Sequence, residues 1–321
     1  CMLGLLGCRF GAHVATGTAA ALHSNSEQRN STDMSESLNT PAAAVSSRRR
    51  TRESGTFVPD TPGSRSLERG LAIIRAFRLD AHSLTNAEIA AITGLARTTV
   101  SRLTRSLVDT GFLEYDIASL RYRLGPPFLS FGKLARRGSV VLRLARPLMR
   151  EIAEELSINV GLAVADAGEM IYLDSFRRNR LGVLRRATWG GRLPIAETAL
   201  GRAWIAAVNP QARGDAFEAF ARTYGARWPA LMGEIERAVA HVERHGWCGA
   251  TWKPGMVAIA APLVVPGQAI HAMNFSFPIL GEDTARQERR RGRLLVETVA
   301  RLRTVLIEQE NTRGSDAATA R

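Results

Sequence analysis

The chain has 321 residues, 45% of them apolar and 23% charged, enough to bury two separate cores and too apolar for a wholly disordered protein. A formal charge of +13 and a pI near 11.0 suit a polyanionic partner, although a generally basic, Arg-rich proteome would give the same excess. The three cysteines, Cys1, Cys8 and Cys248, exclude a disulfide framework and a cysteine metal set, and they fit a reducing cytoplasm.

No apolar run nears the roughly 20 residues that cross a bilayer. Met2 to Cys8 is mildly apolar but lacks the basic and long apolar regions of a signal peptide. Residues 1–64 show no sustained period and are rich in Ala, Ser, Thr and Gly, which predicts a disordered extension. Met34-Ser35-Glu36 is a plausible alternative start, with residues 1–33 an upstream reading-frame extension. The Arg48-Arg49-Arg50-Thr51-Arg52 cluster is either an arm against phosphates or a solvated tail. Between Arg48 and Arg123 there are 13 Arg and 8 acidic residues, so the excess charge includes the segment that follows.

Leu67, Leu71, Ile74 and Phe77 form one stripe of a first helix expected to pack under the next two. Thr85 and Glu88 make a capping box that opens a second helix, with Ile89 and Ile92 facing the core. Gly94 ends it, and Leu95 plugs the turn. In the third helix Val100, Leu103 and Leu107 face inward. Arg97, Thr98, Ser101, Arg102 and Arg105 are left on the outer and leading faces. After Gly111, Phe112–Tyr115 and Arg121–Leu124 alternate as two strands around a small turn. Helix, tight turn, helix and hairpin make a winged helix-turn-helix, which places one exposed helix in the major groove of DNA. Arg forks onto guanine, hydroxyls reach phosphate or base edges, and Arg121 and Arg123 of the wing are placed on phosphates.

Pro126-Pro127 break the pattern. A linker helix is expected over 128–137 and a further helix over about 141–156, bent or restarted at Pro147. Next come a hairpin over 159–174 turning at Asp166-Ala167-Gly168, and a strand over 181–185. Three helices (198–208, 212–223, 229–245), two strands (256–265, 269–277) and a terminal helix bearing Leu295, Val299, Leu302 and Leu306 complete the chain. That order predicts an α+β domain with an antiparallel sheet.

Enzyme chemistry finds little purchase. His241 and His245 share a helix face, but no third ligand is evident, and His245 before Gly246 also reads as a last-turn cation. Cys248 with His245 nearby is conceivable as a thiol nucleophile, and equally as a pocket or core cysteine. Gly190-Gly191-Arg192 lacks the Lys-Ser/Thr of a phosphate loop. The sequence therefore predicts no catalytic set, no metal and no cofactor.

Several segments, taken in order, resemble the IclR family of bacterial transcriptional regulators over about Ser66 to Glu308. In the first half they are Ser66–Leu71, Leu84–Leu95, Thr99–Leu103 and Tyr122–Gly125; in the second, Leu193-Pro194, Thr198–Ala203, His245-Gly246-Trp247, Pro254-Gly255 and Ala258–Pro262. The resemblance implies an N-terminal winged helix-turn-helix, a helical linker and a PAS/GAF-like antiparallel-sheet effector domain. The expected boundaries are 1–64 for the extension, 65–126 for the DNA-binding domain and 127–146 for the linker, then 147–310 for the effector domain and 311–321 for a disordered tail. It also implies homodimers or tetramers on near-palindromic double-stranded operators, a small carboxylic or aromatic acid effector, and repression or activation of genes in the cytoplasm. The alternative is a small-molecule enzyme with an accessory basic domain.

DNA contact is assigned to Thr85, Arg97, Thr98, Thr99, Ser101, Arg102, Arg105, Arg121 and Arg123. The effector pocket carries over onto Thr198, Ala199 and Leu200 at a helix start, and onto Ala258, Asn274 and Ser276 on strands. Asn274 and Ser276 share one strand face, where they either bind a ligand or satisfy each other. Trp189 and Trp252 are pocket walls or core, and Cys248 lies beside them. Many members carry acidic residues in the loop before Pro254-Gly255; here Cys248–Lys253 has none, and Lys253 would add positive charge.

Overall fold

The structure, a computed structural model, describes residues 63–178, 184–186, 189–253, 255–279 and 281–319. Met34, the Arg48–Arg52 cluster and nearly all of the expected N-terminal extension lie outside the described residues.

The first unit begins with α1 (Arg65–Ala76), whose N-cap Ser64 accepts from the Leu67 amide. After β1 (Ser83–Leu84) comes α2 (Asn86–Thr93), opened by the Thr85–Glu88 capping box and closed at Gly94. Gly94 has φ 68°, a left-handed conformation that a side chain resists. Then follow α3 (Arg97–Asp109), β2 (Leu113–Asp116) and β3 (Arg121–Leu124). The strands form a small antiparallel sheet in the order β1-β3-β2. Ile73, Ala76, Phe77, Leu84, Ile89, Val100 and Leu113 close its core.

Three expectations need correction here. Ile92 is 54% exposed rather than core, because Ile89 and the plugging Leu95 already fill that side of the short helix. Leu67 and Leu71 are also exposed; of the predicted stripe Phe77 is buried and Ile74 half-buried, and Ile73 and Ala76 complete the core face at the end of α1. β1 is two residues long and has no periodicity to read; pairing with β3 makes it a strand.

α4 (Pro127–Gly138) starts on Pro127, whose fixed φ suits the first helical turn. Phe112, Phe128 and Phe131 stack around the base of the wing, with ring centroids 5.8–6.2 Å apart, and anchor α4 there. α5 (Val140–Glu155) is capped by Ser139, so the break between the two helices falls at Ser139, between the expected spans 128–137 and 141–156. α5 continues through Pro147 and buries Val141, Leu142, Ala145, Met149 and Ala153.

The second domain is one antiparallel sheet covered on both faces. β4 (Asn159–Asp166) and β5 (Glu169–Arg178) form a hairpin. Ala167 and Gly168 make its two-residue turn, with φ of 49° and 81°, the geometry that matches strand twist. β6 (Leu184–Arg186) and β7 (Arg192–Pro194) both pair with β5. α6 (Ala199–Ala207), α7 (Pro210–Tyr224) and α8 (Trp228–His245) follow, then β8 (Cys248–Lys253), β9 (Met256–Leu263), β10 (His271–Pro278) and α9 (Thr284–Thr319). The sheet runs β6-β5-β4-β10-β9-β8. One face packs on α5 and α9 through Leu162, Ile259, Met273, Phe275, Leu295 and Leu302. The other packs on α6 and α8 through Ala163, Met170, Leu200, Ile205, Ile235 and Ala260.

The sequence reading lacks β7 and β8. β7 is three residues ending in Pro, and β8 is a Gly- and Ala-bearing run without alternation; in both, neighbouring strands override weak local preference. α9 reaches Thr319, into the segment expected as a tail. Among the described residues no helix is long and apolar enough to cross a membrane.

Candidate DNA interface and ligand face

Helix α3 buries Val100 and Thr104 fully and half-buries Leu103 and Leu107. The buried Thr104 hydroxyl is satisfied by donating to the Val100 carbonyl at 2.9 Å. The opposite side carries Arg97, Thr98, Ser101, Arg102 and Arg105, all exposed, with Thr99 half-buried beside them. Spacings of three and four residues put Thr98, Ser101, Arg102 and Arg105 in one stripe. The N-cap Ala96 makes no side-chain cap, so the leading N–H groups of α3 remain for an outside acceptor such as a phosphate. Asn86 on α2 donates to Ser101 Oγ at 2.9 Å and fixes that rotamer while leaving the Ser101 proton to donate.

Two predicted contacts are already engaged. The Thr85 hydroxyl accepts from the Glu88 amide at 3.2 Å and donates to the Glu88 carboxylate at 3.0 Å. The Thr85 amide and hydroxyl, with Arg121, hold the Glu88 carboxyl below its ordinary pKa. Arg121 donates to Glu88 at 2.8 Å, to Ser83 Oγ at 3.1 Å and to the Ser83 carbonyl at 3.0 Å. It braces the wing against α2, so a phosphate at this position would compete with Glu88. Arg123 is the exposed wing cation, with only a loose 3.9 Å approach to Glu114. The wing tip also presents Ile117 and Leu120, exposed apolar residues that no helical or strand period would single out.

The α6–α8 face of the sheet carries a polar group of different character. Strand register aligns Cys248, Ala260, Asn274, Gly161 and Ser175 in one row and Ala250, Ala258, Ser276 and Asn159 in the next. Asn274 is 5% exposed and accepts from the Tyr172 hydroxyl at 3.3 Å. Asn159 Nδ2 donates to Ser276 Oγ at 3.3 Å. A Cβ at Gly161 would meet the Tyr172 ring and come 2.6 Å from Asn274 Oδ1, so only glycine admits this pair. Burial raises the Tyr172 pKa, and Arg177, 5.2 Å from its ring centroid, opposes the shift. The Ser175 hydroxyl is buried in the same row and has no hydrogen-bond partner among the described residues. Such an orphan calls for an explanation, and a ligand oxygen would supply one. Thr198 caps α6 by accepting from the Gly201 amide at 3.3 Å, and Thr198, Ala199 and Leu200 are all buried.

Ion pairs join the two units. Arg75 on α1 meets Asp166 at 2.9 Å, and Arg78, just after α1, meets Glu169 at 2.6 Å. Arg192 reaches both acids at 3.1 Å. The turn of the β4–β5 hairpin is thereby linked to a helix that packs on α3.

Residues 66–116 match the family model of the IclR helix-turn-helix domain, and residues 136–296 match that of the bacterial transcriptional regulator IclR C-terminal domain. The chain belongs to the IclR family. It is 31% identical over 183 residues to the HTH-type transcriptional regulator TsaQ1/TsaQ2 of Comamonas testosteroni, a match that covers 57% of this chain and 66% of that relative, just under two thirds. Among solved structures it resembles an IclR family transcriptional regulator from Brucella abortus. That match has 29% identity and a TM-score of 0.68, and it covers 75% of this chain and 93% of the other. An IclR homolog from Microbacterium hydrocarbonoxydans, complexed with 4-hydroxybenzoate, shares the fold at 24% identity and a TM-score of 0.52, covering 74% and 99%.

Of the effector residues expected from the IclR resemblance, Ala258, Asn274 and Ser276 fall on one sheet face with Tyr172 and Gly161. Cys248 is fully buried there. Its thiol donates to the Ala199 carbonyl at 3.6 Å, and burial pushes its pKa to about 12, the behaviour of a packed core thiol. Trp189 departs from expectation: its ring lies against Gly132 of α4 and 5.2 Å from the Arg136 guanidinium, so it docks on the linker helix. The side chains of Trp252 and Lys253 fall outside the described residues, as does Pro254. His241 stacks on His245 and donates Nδ1–H to the Trp247 carbonyl at 2.6 Å. Among the described residues no group of three or more His, Cys, Asp or Glu stands ready for a metal. Sequence reasoning missed Tyr172, Ser175, Asn159 and Arg177. The adjacent Asp174-Ser175 pair inside an apolar hairpin was the one available signal.

Proposed function

We propose that this protein is an effector-responsive transcription factor of the cytoplasm that reads a near-palindromic operator as a homodimer or a pair of dimers. The observation that carries this reading is the exposed Arg97–Thr98–Ser101–Arg102–Arg105 stripe on a closed three-helix scaffold. Those side chains suit base edges, while the uncapped start of α3 and Arg123 suit phosphates. One such helix reads only a few base pairs, so two copies are needed for useful specificity. Leu67 and Leu71 on α1, and Leu129, Phe131 and Leu134 on α4, are exposed apolar residues that a second copy would cover.

The effector is a carboxylic or aromatic acid held at the face formed by Tyr172, Ser175, Asn274 and Ser276. Arg177 supplies a cation, the buried start of α6 supplies a positive dipole end, and Ser175 supplies an unused hydrogen bond. Occupancy of β5 would bias the hairpin turn and, through Asp166 and Glu169, the setting of α1 and α3. The test is enrichment of a random duplex pool on the purified protein, followed by anisotropy titration of the winner with and without 4-hydroxybenzoate and related acids. The reading expects an inverted repeat and an acid-dependent change in affinity. Failure to enrich any duplex overturns it.

A further inference from the structure

On the α5 side of the sheet, away from the ligand face, lies a cleft of roughly 710 Å³. Arg136 and Arg137 of α4 and Arg143, Arg146 and Arg150 of α5 line it. Its apolar floor is Leu142, Pro147 and Phe176, of which Leu142 and Phe176 are buried. Behind the floor Asp174 is fully buried. It meets Arg136 at 2.8 Å and Arg146 at 3.3 Å, while Arg136 also donates to the Leu173 carbonyl at 2.6 Å. Two of the five guanidinium groups are therefore held in place from behind. Glu154 pairs with Arg150 at 2.8 Å, and among the described residues Arg143 has only the neutral Gln309 amide oxygen at 3.4 Å.

Among the described residues five arginines face two carboxylates, a surplus of three positive charges. Like charges gathered in one concave cleft repel one another, and an anion entering it relieves that repulsion. The volume is in the range of small-molecule sites, about 300–1,000 Å³. We infer that this cleft is a second ligand site, distinct from the Tyr172–Asn274 face. Its ligand is a small organic molecule with an apolar body and at least two negative charges, a phosphomonoester or a polycarboxylate. Planar guanidinium forks match phosphate and carboxylate oxygens two at a time. Leu142, Pro147 and Phe176 give the organic body a surface that a sugar–phosphate rail would leave empty. The floor strand β5 and the two helices belong to different parts of the chain, so a ligand here would staple the linker helix to the sheet.

The test is calorimetric titration of the full chain at about 0.15 M ionic strength, with 4-nitrophenyl phosphate, citrate and the monoanion 4-nitrobenzoate. The variant is Arg143→Ala with Arg150→Ala, two exposed positions outside the recognition stripe. The expected result is saturable binding of 4-nitrophenyl phosphate or citrate, one per chain, weakened about tenfold or more in the double variant. Which of the two binds more tightly decides between phosphate and carboxylate. Asn274→Leu should leave that binding unchanged, and 4-nitrobenzoate should be indifferent to the arginine double variant. The inference is overturned if neither multivalent anion binds, or if the double variant binds both as the parent does. It is also overturned if the double variant loses affinity for a random duplex while neither anion binds, which would make the arginines a track for DNA.

Discussion

The recognition stripe and the ligand face differ in what their polar groups do before any partner arrives. Arg97, Arg102 and Arg105 stand exposed, and their side chains carry no hydrogen bond or ion pair among the described residues. Tyr172, Asn274, Asn159 and Ser276 are buried or half-buried and bonded to one another. On the proposed reading DNA meets groups whose water is easily displaced, and affinity there should respond steeply to salt. On the same reading an effector exchanges hydrogen bonds at Tyr172, Asn274 and Ser276 for its own and gains a new one only at Ser175, so shape decides selectivity.

The largest effect expected from this contrast is on DNA. Arg97→Ala combined with Arg102→Ala should weaken a selected operator by roughly 100-fold or more, since each lost fork removes about 1–3 kcal/mol. The melting temperature should barely move, because neither side chain holds the fold. Anisotropy with the operator, beside calorimetric melting, reads both; unaltered affinity would break the assignment of α3 as the reading helix.

On the ligand face a single methyl should suffice. Gly161→Ala drives a Cβ into Tyr172 and Asn274 and should cost about 1–3 kcal/mol of stability. The effector response should vanish while operator affinity stays within a few-fold. Denaturant unfolding and acid-dependent thermal shifts measure the two halves of this expectation. A variant that keeps full acid response would place the effector elsewhere.

A smaller effect separates the domains by pH. His271 is 8% exposed at the start of β10, and burial lowers its pKa below the ordinary 6.5. The unfolded chain therefore takes up a proton at a higher pH than the native one. Stability should be full above about pH 6.5 and fall as the pH drops below it. His271→Phe should flatten that slope in melts between neutral pH and mild acid; an unchanged slope would assign it to other groups.

The smallest effect is a silence. Cys248, with its pKa near 12 and no exposure, should resist iodoacetamide in the native protein and react only on unfolding, as peptide mapping will show. Rapid native labelling would reopen the ligand-face reading of this residue.

The sequence alone determined the winged helix-turn-helix, the outward face of α3 and the family. Those features rest on local rules: a capping box at Thr85–Glu88, a left-handed Gly94 and apolar residues at helical spacing. It also placed Asn274 and Ser276 on one face, because strand alternation has a period of two. Tertiary structure decided which partners each polar group finds, and this cannot be read from spacing. Arg121 pairs with Glu88 and Ser83, 33 and 38 residues away in sequence, because β3 pairs with β1 beside the start of α2. Trp189 left the expected pocket because Gly132 offers a flat seat for its ring. Tyr172 and Ser175 share a face, although three residues apart, because the β4–β5 register shifts between Leu162 and Ala163. Local preference selects elements; long-range pairing selects contacts, and the ligand face consists of contacts.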